Sequence, residues 1–194
     1  MKCLSSQDGL IRLGQMPVST AVLNDWLSQL QQNITWEQHR VNVFNRIHPV
    51  PRLTAFYGDT GVLYSYAGFK HQALAWNSTL LEIKMHVEES SNLSFNSVLL
   101  NLYRDGNDRM GWHADNEPEL GKNPAIASVS LGASRFFDMK HRTIADLKIR
   151  VDLHHGSLLM MEGSTQHHWL HQIPTQKRIE DVRINLTFRT VVGA

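Results

Sequence analysis

The sequence contains very little cysteine, almost no net charge and no long apolar run. Cys3 is its one cysteine, which excludes an internal disulfide and suits a reducing compartment. No apolar stretch approaches the roughly eighteen residues that a membrane span needs, and the 194 residues carry a net charge of +1. We therefore expect a soluble cytoplasmic protein, nuclear in a eukaryote, with no membrane association. Its composition does not by itself indicate a nucleic-acid partner.

The pattern of apolar residues changes along the chain from helical to strand-like. An unpatterned lead-in over residues 1–18 precedes a predicted helix from Ser19 to about Gln32, and a second helix is predicted over 71–88. Short strands are predicted at 41–50, 62–66, 97–103, 125–131, 135–139, 147–153, 157–161, 169–173 and 182–191. Helices followed by many strands predict an α+β fold with a double-stranded β-helix (jelly-roll) core and N-terminal helices packed outside it.

The most informative short motif is His113-Ala114-Asp115, with His171 further along the chain. Two imidazoles and one carboxylate form the facial triad of non-haem Fe(II) oxygenases, which leaves metal positions open for a chelating co-substrate and O2. In extended backbone the side chains of His113 and Asp115 point to the same face. The motif alone is weak evidence, because a chain with 11 histidines contains such pairs by chance.

The last predicted strand carries a second group of polar residues on one face. Arg183, Asn185, Thr187 and Arg189 alternate along it, and a guanidinium matches a carboxylate with its planar fork. A metal triad followed by such a clamp indicates Fe(II) and 2-oxoglutarate. The alternative is that these four residues are the solvent-facing side of an edge strand.

Longer motifs surround these residues. They are 101–106 (NLYRDG), 111–117 (GWHADNE), 127–132 (ASVSLG), 155–161 (HGSLLMM), 168–174 (HWLHQIP) and 183–189 (RINLTFR). Together they closely resemble the AlkB family of nucleic-acid dealkylases, above all the branch that repairs double-stranded DNA. The resemblance covers roughly residues 40–192. It implies a single oxygenase domain over 1–194, with a loosely matched extension (1–40), a nucleotide-recognition region (41–70) and a catalytic jelly-roll core (96–192).

The resemblance implies roles for the residues of the metal and co-substrate site. It assigns Fe(II) to His113, Asp115 and His171, and the two carboxylates of 2-oxoglutarate to Arg183 and Arg189. The supporting residues for 2-oxoglutarate would be Asn101, Tyr103, Asn185 and Thr187. Which arginine takes the distal carboxylate stays open, although the spacing from His171 favours Arg183.

The resemblance also implies a pocket for a flipped base. Tyr66 would stack on the base, Tyr64 would hydrogen-bond within the pocket, and Glu117 would read a cationic, N-alkylated ring. Phe44 matches the aromatic finger that fills the gap left in a duplex, and Arg52 matches a basic residue beside that finger. For Tyr64 and Tyr66 the alternative is plain strand packing. Basic clusters, such as 140–142 with Lys148 and Arg150, are either phosphate contacts or solvated surface.

The predicted function is oxidative demethylation of N1-methyladenine, N3-methylcytosine and similar bases in DNA, with release of formaldehyde. The cofactors would be Fe(II), 2-oxoglutarate and O2, the partner alkylated DNA, and the protein a monomer. The chain departs from the double-strand branch after the second metal histidine, where it has Gln176-Lys177-Arg178 in place of a stronger basic run. Single-stranded DNA or RNA is therefore an alternative substrate. Further alternatives are an oxygenase for proteins or small molecules, a catalytically silent nucleic-acid-binding module and, least supported, a zinc hydrolase.

Overall fold

The computed structural model describes residues 1–43, 46–66 and 69–192. Within them the strands, in chain order, are β1 (Lys2–Ser5), β2 (Leu10–Gln15), β3 (Arg40–Val43), β4 (Arg46–Pro49), β5 (Leu53–Gly58), β6 (Leu63–Tyr66), β7 (Phe69–Gln72), β8 (Leu74–Ala75), β9 (Ser97–Tyr103), β10 (Met110–His113), β11 (Ile126–Gly132), β12 (Arg135–His141), β13 (Lys148–Leu153), β14 (Ser157–Glu162), β15 (Trp169–Ile173) and β16 (Arg183–Arg189). The helices are α1 (Thr20–Asn33), α2 (Ser78–Ser91) and α3 (Thr165–His168), and Pro118–Leu120 forms a 3-10 turn.

Two sheets pack face to face and form the body of the protein. The larger sheet has eight strands in the order β1-β2-β14-β11-β16-β9-β5-β8, and the smaller has the order β10-β15-β12-β13. Apolar side chains from both sheets meet between them, among them Ile126 and Leu159 from the larger sheet and Phe137 and Trp169 from the smaller. Two antiparallel sheets enclosing a core agree with the predicted jelly roll.

Strand β16 separates the polar interior from the apolar core behind the larger sheet. Ile184, Leu186 and Phe188 are fully buried on the face turned towards the helices. The alternating residues, Arg183 to Arg189, face the space between the sheets, where they line a pocket. Because β16 pairs with both β11 and β9, it is a central strand. The alternative of an exposed edge strand is therefore wrong.

The two long helices cover the outer face of the larger sheet, as predicted. Helix α1 begins at a cap in which the Ser19 hydroxyl accepts a hydrogen bond from the N–H of Val22. Trp26 of α1 and Ile83 of α2 are buried in the same apolar cluster as Leu186 of β16. None of the helices in the described ranges is long and apolar enough to span a membrane.

Three predictions about local structure are wrong. The single strand predicted over 41–50 is a pair of antiparallel strands, β3 and β4. Residues 1–18 are not a loose lead-in, because β1 and β2 form a hairpin and β2 extends the larger sheet beside β14. The second helix begins at 78 rather than 71, because Asn77 caps it by accepting from the N–H of Leu80. The preceding residues belong to β7 and β8.

Candidate metal centre and its pocket

Two histidines on neighbouring strands and one buried carboxylate form a cluster that fits a metal ion. His113 and His171 lie directly opposite each other in the antiparallel β10–β15 pair, with ring centroids 4.2 Å apart. Asp115 follows β10, and one ligand atom from each of the three side chains lies within 4.8 Å of the others. This donor set suits a metal that keeps open coordination positions. The structure thus brings the three predicted ligands together.

Hydrogen bonds behind these side chains hold two of them in place. Nδ1 of His113 lies 2.8 Å from the carbonyl oxygen of Gly111, which places the ring proton on Nδ1 and leaves a lone pair on Nε2. The backbone N–H of Asp115 donates to Oε1 of Gln166 at 2.9 Å. Gln166 is fully buried, and no signal in the sequence pointed to it. Such supporting bonds orient metal ligands.

The surroundings also keep Asp115 and His171 in the protonation states that a metal requires. Burial alone raises the pKa of the Asp115 carboxyl, but Arg189 and the two imidazoles bring that pKa down to about 2. Burial lowers the pKa of His171 to about 3, and His113 acts in the same direction. An ionised carboxylate and a neutral imidazole are the forms that bind metals.

A second cluster, formed by Asp8, His141 and His168, has similar spacing but does not fit a metal. Nδ1 of His141 accepts hydrogen bonds from the backbone N–H groups of Thr143 and Ile144, at 3.3 and 3.1 Å. The ring proton must then be on Nε2, which lies 3.2 Å from the Asp8 carboxylate and donates to it. A metal would need the lone pair of that nitrogen. We interpret this cluster as a structural hydrogen-bond contact between the N-terminal hairpin and β12.

The pocket beside the first cluster contains a buried guanidinium with free donors. Arg183 is 1% exposed, and its Nη2 donates to the Ser130 hydroxyl at 2.8 Å. Its Nε and Nη1 have no hydrogen-bond partner among the described residues. Burial lowers the pKa of Arg183 to about 10, while Tyr103, whose ring centroid lies 5.2 Å away, acts against this. A buried guanidinium with two nitrogens that lack partners, in a pocket of about 510 Å³, open mouth included, fits a carboxylate as its counterion.

The other predicted 2-oxoglutarate residues reach the same pocket but differ in what their polar atoms already bind. They are Asn101, Tyr103, Asn185, Thr187 and Arg189. The Asn185 side chain donates to Ser128 and to the carbonyl of Val129, and its oxygen accepts from Thr187 at 3.1 Å. These two side chains therefore brace the sheet. Asn101 accepts from Arg52 with its oxygen, which leaves its amide N–H2 group for a ligand.

Arg189 links the metal ligands to the predicted base pocket. Its Nη2 lies 3.0 Å from the Asp115 carboxylate, and its Nη1 donates to the Tyr64 hydroxyl, also at 3.0 Å. Tyr64 in turn hydrogen-bonds with Glu117. Burial raises the pKa of Tyr64, although Arg189 opposes this, so the hydroxyl stays protonated. Arg189 keeps one nitrogen, Nε, without a partner among the described residues.

The remaining residues predicted to bind substrate differ in their position and hydrogen bonding. Glu117 has one buried oxygen, Oε2, with no hydrogen-bond partner in the described part of the chain. Arg52 is 5% exposed and donates to Asn101 at 2.8 Å, so it supports a residue that lines the pocket. That Arg52 contacts substrate stays a prediction. Tyr66 ends β6, and Phe44 lies outside the described residues.

Known proteins resemble the chain over most of its length. Residues 12–189 match the 2OG-Fe(II) oxygenase superfamily. Alpha-ketoglutarate-dependent dioxygenase alkB homolog 3 of Rattus norvegicus is 40% identical over 177 residues, which cover 86% of this chain and 59% of the relative. DNA oxidative demethylase ALKBH2 of Homo sapiens is 41% identical over 160 residues, which cover 79% of this chain and 61% of the relative. ALKBH2 of Mus musculus is 39% identical over 173 residues, which cover 86% of this chain and 72% of the relative. The chain thus spans about three fifths of the length of the first of these relatives.

A solved structure, OsALKBH1, has a similar fold. It superposes with a TM-score of 0.67 at 16% identity, covering 97% of this chain and 100% of that one. At this identity the likeness concerns the fold alone. It confirms the predicted jelly-roll architecture.

Proposed function

The chain belongs to the 2OG-Fe(II) oxygenase superfamily and, within it, to the AlkB family, and from this premise we propose that it removes N-linked alkyl groups from DNA bases by oxidation. The observation that carries the proposal is a shared pocket. His113, Asp115 and His171 border the same space as Arg183, whose guanidinium has two buried nitrogens without a partner in the described ranges. The three ligands would hold Fe(II), and Arg183 would bind the distal carboxylate of 2-oxoglutarate.

The oxidation that Fe(II), 2-oxoglutarate and O2 would supply requires no nucleophile from the protein. Bound Fe(II), 2-oxoglutarate and O2 would supply the oxidation: one oxygen atom would enter a C–H bond of the N-methyl group, the other would enter succinate as CO2 leaves, and the resulting N-hydroxymethyl group would leave as formaldehyde and return the N–H base. The residues of the chain position the reactants. Asn101 and Tyr103 line the co-substrate side of the pocket, and Phe137 and Met161 supply apolar walls that exclude water.

The relatives named DNA oxidative demethylase support a nucleic-acid base as substrate. A base in a duplex must be flipped out to reach buried iron. We assign its recognition to Tyr64 and Glu117, because the free Oε2 of Glu117 is an acceptor that suits the exocyclic amine of a cationic, N-alkylated ring. On the resemblance, Tyr66 would stack on that base and Phe44 would fill the gap in the duplex.

The proposal is tested by anaerobic reconstitution with Fe(II) and 2-oxoglutarate, followed by air and a duplex carrying one N1-methyladenine. Mass spectrometry would follow the repaired base, formaldehyde and succinate. We expect all three in equal amounts, and none without 2-oxoglutarate. Single-stranded DNA and RNA with the same lesion would establish strand preference. Succinate without repair would contradict DNA as substrate, and bound iron with neither product would contradict the enzyme.

Replacing Glu117 with glutamine is expected to reduce discrimination in favour of cationic lesions. A carboxylate attracts the positive rings of N1-methyladenine and N3-methylcytosine, whereas N1-methylguanine and N3-methylthymine are neutral. A hydrogen bond to a charged group contributes about 1.5–3 kcal/mol, so the ratio of kcat/KM for cationic over neutral lesions should fall at least about tenfold. The matched control is Glu119→Gln, two residues away, which should keep the wild-type ratio. An unchanged ratio in Glu117→Gln would show that this carboxylate does not contact the base.

A further inference from the structure

The outer face of the smaller sheet carries an exposed aromatic ring among positive charges. Trp112 of β10 is 40% exposed, and the Lys140 ammonium of β12 lies 4.4 Å from the centre of its ring. Lys148 and Arg150 of β13 lie on the same face, and they line a groove with Trp112 of about 610 Å³, open space included. We call these residues, Trp112, Lys140, Lys148 and Arg150, the outer face.

The charge of the outer face is not balanced within the protein. Asp138 is the anion in the groove and Asp152 shares the exposed face of β13, but the Arg150 guanidinium already pairs with both oxygens of the Asp138 carboxylate. Lys140 and Lys148 lie directly opposite each other in the β12–β13 register, and neither has an ion pair among the described residues. Like charges in directly opposite positions destabilise a sheet. The arrangement therefore costs stability and leaves two ammonium groups available to an external anion.

A second basic cluster within the described residues lacks this property. Arg178, in the loop before β16, lines a groove together with Asp152, Glu180 and Asp181. Three carboxylates beside one guanidinium repel a polyanion. The positive potential of the described surface is therefore better placed on the outer face than on this loop.

The outer face is continuous with the metal pocket through a single strand. Strand β10 is at the edge of the smaller sheet, and adjacent residues on a strand point to opposite faces. His113 lines the metal pocket, whereas its neighbour Trp112 is exposed. A nucleic-acid strand that delivers one base to the pocket would thus meet the Trp112 ring of β10 first, and Lys140 and Lys148 further across the same sheet, on β12 and β13.

We propose that the outer face binds the nucleic-acid strand flanking the base that enters the metal pocket, with Lys140 and Lys148 binding phosphates and Trp112 contacting an unpaired base. Aromatic rings among positive charges are the general means of binding single strands. The proposal rests on the proposed function, because it supposes that the substrate is a nucleic acid. It adds a contact surface outside the pocket.

The test measures binding of an unmodified, fluorescein-labelled single-stranded 20-mer by anisotropy over a range of salt concentrations. The variant Lys140→Ala/Lys148→Ala is compared with Lys2→Ala/Lys84→Ala, which removes the same charge from β1 and α2. We expect the first to bind about tenfold more weakly, with the slope of log affinity against log salt reduced by about 1.4, at 0.7 for each lost phosphate contact. The control should bind within about twofold of wild type. Equal weakening in both variants, or in neither, would overturn the proposal.

Trp112 is tested separately, because its contribution should not depend on salt. Trp112→Leu is expected to weaken binding about fivefold or more, with the slope of log affinity against log salt unchanged. Trp112→Phe, which keeps an aromatic ring, should lose much less affinity. Thermal unfolding of each variant would verify that it folds. A polyglutamate peptide that competes as well as an oligonucleotide of equal charge would overturn nucleic acid as the occupant.

The proposal and the proposed function can fail independently. The binding measurement uses unmodified DNA and needs no turnover. Binding at the outer face without formaldehyde release would contradict the dealkylase alone. Formaldehyde release with wild-type affinity in the Lys140→Ala/Lys148→Ala variant would contradict the outer face alone.

Discussion

Replacing His171 with alanine is expected to abolish formaldehyde release and to lower the affinity for Fe(II) by more than about a hundredfold. The loss of a residue that only supports a metal ligand typically lowers affinity about 10- to 100-fold, so the loss of a ligand should lower it further. His171 is one of three predicted ligands and is 4% exposed. Co(II) titration followed by absorbance would measure affinity without turnover, and added imidazole should restore part of it.

The second histidine cluster supplies the matched control for this experiment. His168 lies beside His141, 5.8 Å between ring centroids, in a cluster with the same ligand types as the metal site. Because the ring proton on Nε2 of His141 prevents that cluster from binding a metal, His168→Ala should retain wild-type metal affinity and turnover. Equal losses in both variants would place the metal elsewhere or reveal a folding defect, which thermal unfolding of the metal-free proteins would detect.

Replacing Arg183 with glutamine is expected to weaken 2-oxoglutarate binding by about 30-fold to several thousandfold. Removing one partner of a buried, hydrogen-bonded charge pair costs about 2–5 kcal/mol. The metal ligands are unchanged, so Co(II) affinity should stay within a few-fold of wild type. Anaerobic titration of the metal-loaded protein with 2-oxoglutarate measures the effect directly, and the KM for 2-oxoglutarate provides a second measure.

Arg135 is a matched control, because it is equally buried but each of its three nitrogens has a hydrogen-bond partner. Both guanidinium groups lie near the ring of Tyr103, at 5.6 Å for Arg135 and 5.2 Å for Arg183. Arg135 donates to the carbonyls of Asp105, Asp108 and Pro174 and to the Gln176 side chain. Arg135→Gln should therefore lower the free energy of unfolding by several kcal/mol with less effect on 2-oxoglutarate affinity.

Arg183→Gln should show the opposite pattern. Burial lowers the pKa of Arg183 to about 10, and the nearby Arg135 acts in the same direction, so the buried charge costs stability on the order of 3 kcal/mol. Without 2-oxoglutarate, the variant should therefore be as stable as wild type or more stable. Marked destabilisation of Arg183→Gln, with 2-oxoglutarate affinity retained, would show that Arg183 is structural and would contradict its role as the carboxylate clamp.

The shared face of His113 and Asp115 and that of the β16 residues could be predicted because they depend on local geometry. Alternation along a strand places every second side chain on the same side, whichever strands pair with it. The grouping of Arg183 with Arg189 follows from that rule, and the structure places both in the pocket. The ligands needed one step more, since only the resemblance connected His113 and Asp115 with His171.

The hydrogen-bond partners of these residues could not be predicted, because they come from distant parts of the chain. Asn185 bonds to Ser128, which lies on a neighbouring strand far away in sequence. Arg52 is a residue type that often contacts nucleic acids, yet in this structure its side chain donates to Asn101. No local pattern distinguishes a guanidinium that is satisfied by the fold from one that is left open.

The same limit applies to elements that need a partner in order to form. Strands β1 and β2 have no clear alternation of their own, and β2 exists because β14 offers its edge. The amino-acid sequence thus determined which side chains share a strand face and which chemistry they can perform. Tertiary pairing determined which of their polar atoms stay free, because hydrogen bonds in a sheet are exchanged between segments that only folding brings together.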